Sequence, residues 1–312
     1  MKHLKYIEME WTKLGLVYKS IGLNDWKMHS ALTPTPIVFE DKIRIYAGFR
    51  DFNGISRIGY VDLDKTNPTK ILKVSDKPVL DIGNPGEFDD NGVILGDIIR
   101  EGEILRMYYV GFQIVNKVKF LAFTGLAISV DNGESFERVK KVPVLDRREN
   151  ALFFNAVHTV IKEEGIFKFW LGAGSDWQLI NGIKYPSYNI KYIESKDGIQ
   201  FNEKSSDCIS FTLPNEYRIG RPRVYKEMDE YRIIFTWGDK NGKYEMGYAT
   251  SKDGKNWFRN DKILNFQPSS SSDWDDKWVS YGALFKIEDE LYMVYNGNEM
   301  GKDGFGIAKL IK

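Results

Sequence analysis

Apolar and polar residues alternate along this chain in short runs, and one such run recurs. Each copy ends in a glycine: Ile43 to Gly48 (IRIYAG), Arg106 to Gly111 (RMYYVG), Phe167 to Gly172 (FKFWLG), Arg232 to Gly238 (RIIFTWG) and Leu291 to Gly297 (LYMVYNG). A period of two sends successive side chains to opposite faces, which is the pattern of a half-buried strand. The closing glycines lie 59 to 66 residues apart, so five copies fill the chain. An apolar segment and a short polar turn precede each copy, as in Thr35 to Phe39 before Glu40-Asp41-Lys42 and Ala283 to Ile287 before Glu288-Asp289-Glu290. The pairs therefore read as hairpins. A third strand follows, for example Ile58-Gly59-Tyr60 and Gly125-Leu126-Ala127.

In three copies that strand runs into a repeated turn: Ser129-Val130-Asp131-Asn132-Gly133, Ser195-Lys196-Asp197-Gly198 and Ser251-Lys252-Asp253-Gly254, each followed by an aromatic, Phe136, Phe201 or Trp257. Asp accepts local backbone hydrogen bonds and Gly permits positive φ, so the turn closes and the aromatic packs between repeats. Repetition assigns these turns to the fold rather than to metal binding or catalysis.

Five units of four short strands, with almost no helical periodicity, predict an all-β fold: a five-bladed β-propeller of four-stranded antiparallel blades. The last unit lacks a fourth strand, and Leu14 to Tyr18 (LGLVY) is the N-terminal strand that would close it. The expectation is one indivisible domain over residues 1–312.

The 312 residues carry 44 Lys+Arg and 44 Asp+Glu, so no net charge draws the protein to nucleic acid or an anionic membrane. With one cysteine, Cys208, no internal disulfide forms, and neither a signal peptide at Met1 to Trp11 nor an 18-residue apolar run is present. A cytoplasmic location is expected. Gly-rich phosphate loops and Gly-x-Ser-x-Gly elbows are absent, and repeats of about sixty residues do not suit the seven-bladed interaction scaffolds.

In such a blade the start of the innermost strand and the end of the second meet at the channel mouth. The first set comprises His29 and Ser30; Glu87, Asp89 and Asp90; Asn155 and His158; Arg218, Arg221 and Arg223; Asp275, Asp276 and Tyr281. The second comprises Arg50 and Asp51; Gln113; Asp176 and Trp177; Trp237 and Asp239; Asn296, Asn298 and Glu299. Together they describe a polar funnel with aromatic walls, suited to a sugar. Each has a plainer reading: Asp89-Asp90 as a turn cap, Trp177 and Trp237 as packing, and Arg221 or Arg223 as a structural partner of Asp276 or Asp239.

Phe88-Asp89-Asp90-Asn91-Gly92-Val93, Tyr217-Arg218-Ile219-Gly220-Arg221-Pro222, Tyr292 to Asn298 and Gly304 to Ala308 resemble the five-bladed propeller superfamily of glycoside hydrolase families 43, 32, 62 and 130, over nearly the whole sequence. The resemblance implies a carbohydrate-active enzyme with paired carboxylates at the channel mouth. It assigns Asp90 as general acid or base and Asp51 as its partner. Where the third unit should carry a general-acid Glu, this sequence reads Phe153-Phe154-Asn155-Ala156-Val157-His158, so Glu149 upstream is the alternative donor. His29, Asp89, Asn155, His158, Trp177, Arg221, Trp237, Asp276 and Tyr281 are the expected sugar contacts. Two alternatives stay open: phosphorolysis, with inorganic phosphate held by Arg218, Arg221, Arg223, His29 and His158, and glycan binding without turnover. No cofactor is expected beyond inorganic phosphate or a channel cation, for which Asp89, Asp90 and Asp276 are the oxygen donors; no metal site is assigned.

Overall fold

The computed structural model describes residues 8–22, 25–201, 204–271 and 274–311. Residues 1–7, read above for a leader, lie outside the described residues, as do 272–273. The alternating runs form strands, in chain order β1 (Trp11–Tyr18), β2 (His29–Val38), β3 (Lys42–Arg50), β4 (Ser56–Asp64), β5 (Ile71–Val74), β6 (Val93–Glu101), β7 (Ile104–Gln113), β8 (Leu121–Ser129), β9 (Glu137–Arg138) and β10 (Phe154–Glu163). They continue as β11 (Ile166–Ile180), β12 (Ile183–Ser195), β13 (Ser206–Ile209), β14 (Glu216–Glu227), β15 (Glu230–Asp239), β16 (Tyr244–Ser251), β17 (Phe258–Arg259), β18 (Ser280–Ile287), β19 (Glu290–Asn296) and β20 (Phe305–Leu310). Helix is confined, among the described residues, to one 3-10 turn at Asp261–Ile263 and an irregular turn, α1 (Asn298–Gly301). Among the described residues, no helix is long and apolar enough to cross a membrane.

Antiparallel ladders join the strands into five groups of four: β2-β3-β4-β5, β6-β7-β8-β9, β10-β11-β12-β13, β14-β15-β16-β17, and β18-β19-β20 with β1. The N-terminal strand thus supplies the fourth strand of the last group, pairing Trp11 with Leu310 and Leu16 with Gly306. Single parallel bridges, Phe154 opposite Ala122 and Tyr188 opposite Arg218, link the middle three groups. The first strands of the groups touch in succession, β2 to β6, β6 to β10, β10 to β14, β14 to β18, and β18 to β2.

Apolar cores lie between consecutive groups. One packs Tyr46 and Tyr60 against Val93 and Met107, another Tyr108 against Val157 and Phe169, another Trp170 against Ile219 and Phe235. A fourth joins Ile234 and Tyr248 to Met293 and Tyr295, and the fifth joins Val294 and Phe305 to Ile43 and Val61, last group to first. No group buries both its faces alone, so each depends on its neighbours.

The Ser-Asp-Gly turns fasten these contacts. In each, the serine hydroxyl accepts a hydrogen bond from the glycine N–H: Gly133 to Ser129 at 2.8 Å, Gly198 to Ser195 at 3.0 Å and Gly254 to Ser251 at 2.9 Å. The glycine carbonyl then accepts from an aromatic of the preceding group, Tyr46 Oη at 3.0 Å, Tyr108 Oη at 3.0 Å and Trp170 Nε1 at 2.7 Å. Phe136 and Phe201 pack edge-on to Tyr46 and Phe169 beside two of these clasps.

Gly198 has φ +75° and a Cβ there would strike Tyr108 Oη, whereas Gly242 has φ +88° with nothing within 4 Å. Gly242→Ala therefore bears only the backbone penalty, about 1 kcal/mol, while Gly198→Ala is expected to lose about 2 to 3 kcal/mol by also displacing the clasp. Urea denaturation of the two variants measures the difference.

Candidate functional site

Antiparallel pairing brings the start of each first strand beside the end of each second. His29 lies opposite Arg50, Val93 opposite Gly111, Phe154 opposite Gly174, Glu216 opposite Asp239 and Ser280 opposite Asn296. A little further along, every first strand carries an irregularity. Register shifts bracket Thr33, Gly96, His158, Arg221 and Tyr281, residues roughly sixty apart in the sequence. Thr33, Arg221 and Tyr281 have φ of +49°, +53° and +58°, a left-handed conformation that a β-branched or bulky residue adopts only under constraint. Such bulges re-aim side chains.

Arg221 exploits that redirection. Its side chain donates to the carbonyls of Leu95 (2.5 Å), Gly96 (3.1 Å) and Thr33 (2.8 Å) and to Thr35 Oγ1 (2.5 Å), and lies 3.1 Å from His158 Nδ1. One guanidinium from β14 thereby ties together β2, β6 and β10. No carboxylate touches it, and burial pulls its pKa down to about 9, with neighbouring Arg223 acting in the same direction. Arg223 spans Asp97 Oδ1 (2.8 Å) and the carbonyl of His158 (2.7 Å). The plainer reading, in which one of these arginines pairs with Asp276 or Asp239, is not what the structure has: Arg223 meets Asp97, and Arg221 is held by backbone carbonyls.

Above this layer opens a cavity of about 520 Å³, which shares Arg50, Tyr185, Arg218, Tyr244 and Met300 with an outer one of about 570 Å³. One wall of the inner cavity is apolar, with Ile94, Phe112, Phe120, Phe154 and Tyr188, the last two stacked at 4.1 Å. The other is phenolic and cationic, with Tyr244, Tyr281, Arg50, Arg218 and Arg221. Burial raises the pKa of Tyr188, Tyr244 and Tyr281, so their hydroxyls are neutral hydrogen-bonding groups. Among the described residues, no carboxylate lines the inner cavity, and the outer one has only Glu299, which pairs with Lys302 at 3.0 Å.

Of the residues singled out in the sequence, Arg50, His158, Arg218, Arg221 and Tyr281 line the inner cavity, and His29, Ser30, Arg50, Arg218 and Glu299 the outer. His29 Nδ1 is 2.8 Å from Ser30 Oγ, and burial, Arg50 and Lys302 lower its pKa. Asp90, Asp51 and Glu149 line neither cavity and make no contact with one another. Asp90 accepts from the N–H of Gly86 (2.8 Å) and from Asn91 Nδ2, holding its own turn, with Asn91 itself on the cavity wall. Asp51 caps its turn through the N–H groups of Asn53 and Ile55 and pairs with Arg57 at 2.8 Å. Glu149 is exposed, 3.6 Å from Lys204.

Asp89 is buried against Arg138 Nε at 2.9 Å, and Asn155 donates to the carbonyls of Asp146 (3.0 Å) and Ala151 (2.6 Å). Asp276 accepts from Asn298 Nδ2 at 2.6 Å. Trp177 stacks on Phe153 at 4.6 Å and Trp237 belongs to the core beside Ile219 and Phe235, so both tryptophans are placed for packing. Asp89, Asp90 and Asp276 do not form a cation set: each carboxylate is engaged by the local partner just named, and no group of three His, Cys, Asp or Glu comes together among the described residues. The sequence reading passed over Tyr188, Tyr244, Phe154 and the wall of Phe112 and Phe120. Only their place beside the repeat's glycines marks them, and apolar strand residues carry no chemical signature.

Replacing Arg221 by Met strands three buried carbonyls, so Arg221→Met is expected to lose about 3 kcal/mol or more in chemical denaturation. Full burial, together with Arg221 and Arg223, holds His158 neutral, its pKa well below 6.5. The unfolded chain takes up that proton first as pH falls, so stability is complete above pH 6.5 and declines below it, by about 1.4 kcal/mol at pH 5.5. His158→Gln should flatten this slope, as urea midpoints at pH 5.5 and 7.5 would show.

No protein-family model matches the sequence. Over 305 residues, 97% of this chain, it is 32% identical to the uncharacterized protein Rv1502 of Mycobacterium tuberculosis (strain ATCC 25618 / H37Rv), of which 99% is covered. The uncharacterized protein MT1551 of strain CDC 1551 / Oshkosh matches with the same identity and coverage. Among solved structures it resembles a BT0996 complex with RGII (TM-score 0.72, 16% identity, 97% of this chain and 92% of that one) and a thermostable family-43 glycoside hydrolase (0.68, 14%, 91% and 89%). A structure from family 130, a family of mannoside phosphorylases containing glycoside hydrolases that target β-1,2-mannosidic linkages in Candida mannan, also aligns (0.68, 13%, 99% and 95%). At these identities the likeness shows a shared fold.

Proposed function

This protein belongs to the family of the Mycobacterium tuberculosis proteins Rv1502 and MT1551, and for this member we propose a carbohydrate-binding five-bladed β-propeller, residues 1–312 forming one domain, that holds a glycosyl unit in the central funnel. Support for five blades comes from the five groups of four strands, the cyclic contacts of their first strands and the core between last group and first. Support for a sugar comes from the cavity itself, where an aromatic wall faces a row of phenols and guanidiniums. Aromatic rings pack on the C–H faces of a pyranose while fixed polar groups meet its hydroxyls.

The observation that carries binding over hydrolysis is the lining, which offers no carboxylate in the inner cavity among the described residues. Hydrolysis by a pair of carboxyl groups needs both beside the scissile bond. Asp90, Asp51 and Glu149 are instead engaged with turns, Arg57 or Lys204. Phosphorolysis is the second reading, favoured by the cations of the cavity and by Asp90 lying next to Asn91 on its wall; inorganic phosphate would then be the nucleophile and Asp90 the proton donor.

Calorimetry with oligosaccharides should show saturable binding without release of reducing sugar, and Asp90→Asn should keep its affinity within about twofold. Formation of a sugar 1-phosphate that requires inorganic phosphate and disappears in Asp90→Asn would replace this reading with phosphorolysis. Hydrolysis indifferent to phosphate and lost in the same variant would restore the carboxylate mechanism.

A further inference from the structure

The protein's other arginines at comparable depth have acceptors. Arg44 meets Asp62, Arg57 meets Asp51 and Asp81, Arg138 meets Asp89, and Arg259 meets Glu216 and Asp261. Arg221 spends its donors on carbonyls and Arg223 on Asp97. Arg50 and Arg218 differ. Both line the inner and the outer cavity, and the guanidinium of neither makes a hydrogen bond or ion pair among the described residues; the Nε of each is buried without an acceptor, as in Arg221 and Arg232, whose other nitrogens are engaged. The lining around them is phenolic: the Arg218 guanidinium lies 4.4 Å from the centre of the Tyr244 ring and 4.7 Å from that of Tyr217, and Tyr244 and Tyr281 line the inner cavity with Arg50. Neutral rings hold a guanidinium in place but do not balance its charge.

A half-buried cation without a counter-charge is costly, and a cavity wall that keeps two of them is suited to an anion that arrives with the ligand. The cavity is also far larger than a free inorganic anion needs, and the same space continues onto the Phe112, Phe120 and Phe154 wall, which a small inorganic anion would leave unfilled. We propose, on the glycan-binding reading above, that the substrate class is an acidic glycan whose carboxylate or phosphate group sits between Arg50 and Arg218 while its sugar ring packs on the aromatic wall. Both guanidiniums offer forked N–H donors, which match the two oxygens of a carboxylate or phosphate group.

The test uses the full-length protein on an array of bacterial glycans, with uronic-acid glycans beside their carboxyl-reduced forms and phosphorylated glycans beside phosphatase-treated ones, and inorganic phosphate alone by calorimetry. Acidic forms are expected to bind at least tenfold more tightly than their neutral counterparts, with an advantage that shrinks as salt rises. Whether the carboxylate or the phosphate pair shows the difference identifies the group. In Arg50→Gln and Arg218→Gln, each compared by its own acidic-to-neutral ratio, that ratio should fall towards one. Equal binding of acidic and neutral forms by the wild-type protein would overturn the inference while leaving glycan binding intact. Inorganic phosphate binding as tightly as any acidic glycan would overturn it in favour of phosphate as co-substrate. Failure of every glycan to bind would remove the glycan reading and this inference with it.

Discussion

A single guanidinium, that of Arg221, stands where β2, β6 and β10 approach β14, and the arrangement of the cavity follows from it. Its charge is compensated by the oxygens of Leu95, Gly96, Thr33 and Thr35 rather than by a carboxylate. Carbonyl dipoles can solvate a buried cation only if the backbone is bent to point them inward, and the shift in register at each first strand supplies that bend. Gly96 is part of the same device: a Cβ there would run into the carbonyl oxygens of Val157 and Tyr108, so no side chain fits. The cationic layer beneath the cavity is therefore a structural requirement of the fold.

Around that centre the chain repeats one solution to one problem. A four-stranded antiparallel group has two faces to cover, and each core in this protein is shared by two consecutive groups. The clasps from Tyr46, Tyr108 and Trp170 to the glycine carbonyls of the next group keep neighbours in register at the periphery. Lys13 of β1, held to Asp275 at 2.7 Å, and Asn296, which accepts from the Thr33 N–H and donates to the Ala31 carbonyl, join the ends of the chain in the same spirit. Rigidity of the frame is what allows Arg50 and Arg218 to be kept bare: a looser protein would let them fold back onto an acceptor.

Many glycosidases share this fold, and the cavity lies where antiparallel pairing brings the mouths of the groups together. The content of the cavity is specific to this sequence. Phe154 and His158 occupy the third group's mouth, Asn155 between them turns into the interior, and the carboxylates of the rim are taken up by Arg57, Arg138 and Asn298. Aromatic rings and guanidiniums line the cavity at this position, with no carboxylate among the described residues, and one fold can carry many such different linings.

Periodicity alone was enough to read the strands, the hairpins, the Ser-Asp-Gly turns and the β1 strand that completes the last group, because alternation and turn chemistry are local properties of neighbouring residues. The converging ends of the strands were legible for the same reason, and with them His29, Arg50, His158, Arg218, Arg221 and Tyr281 at the cavities. What the sequence could not reveal was which way each polar side chain turns once there. Asp51, Asp89 and Asp90 stand in equivalent slots to cavity residues yet bond to turns and arginines, while the Nε groups of Arg50 and Arg218 find no acceptor among the described residues. That choice depends on bulges of a single residue and on partners far along the sequence, such as Arg138 for Asp89 and Leu95 for Arg221. Only the packed tertiary structure, where desolvation makes every unpaired charge count, decides it.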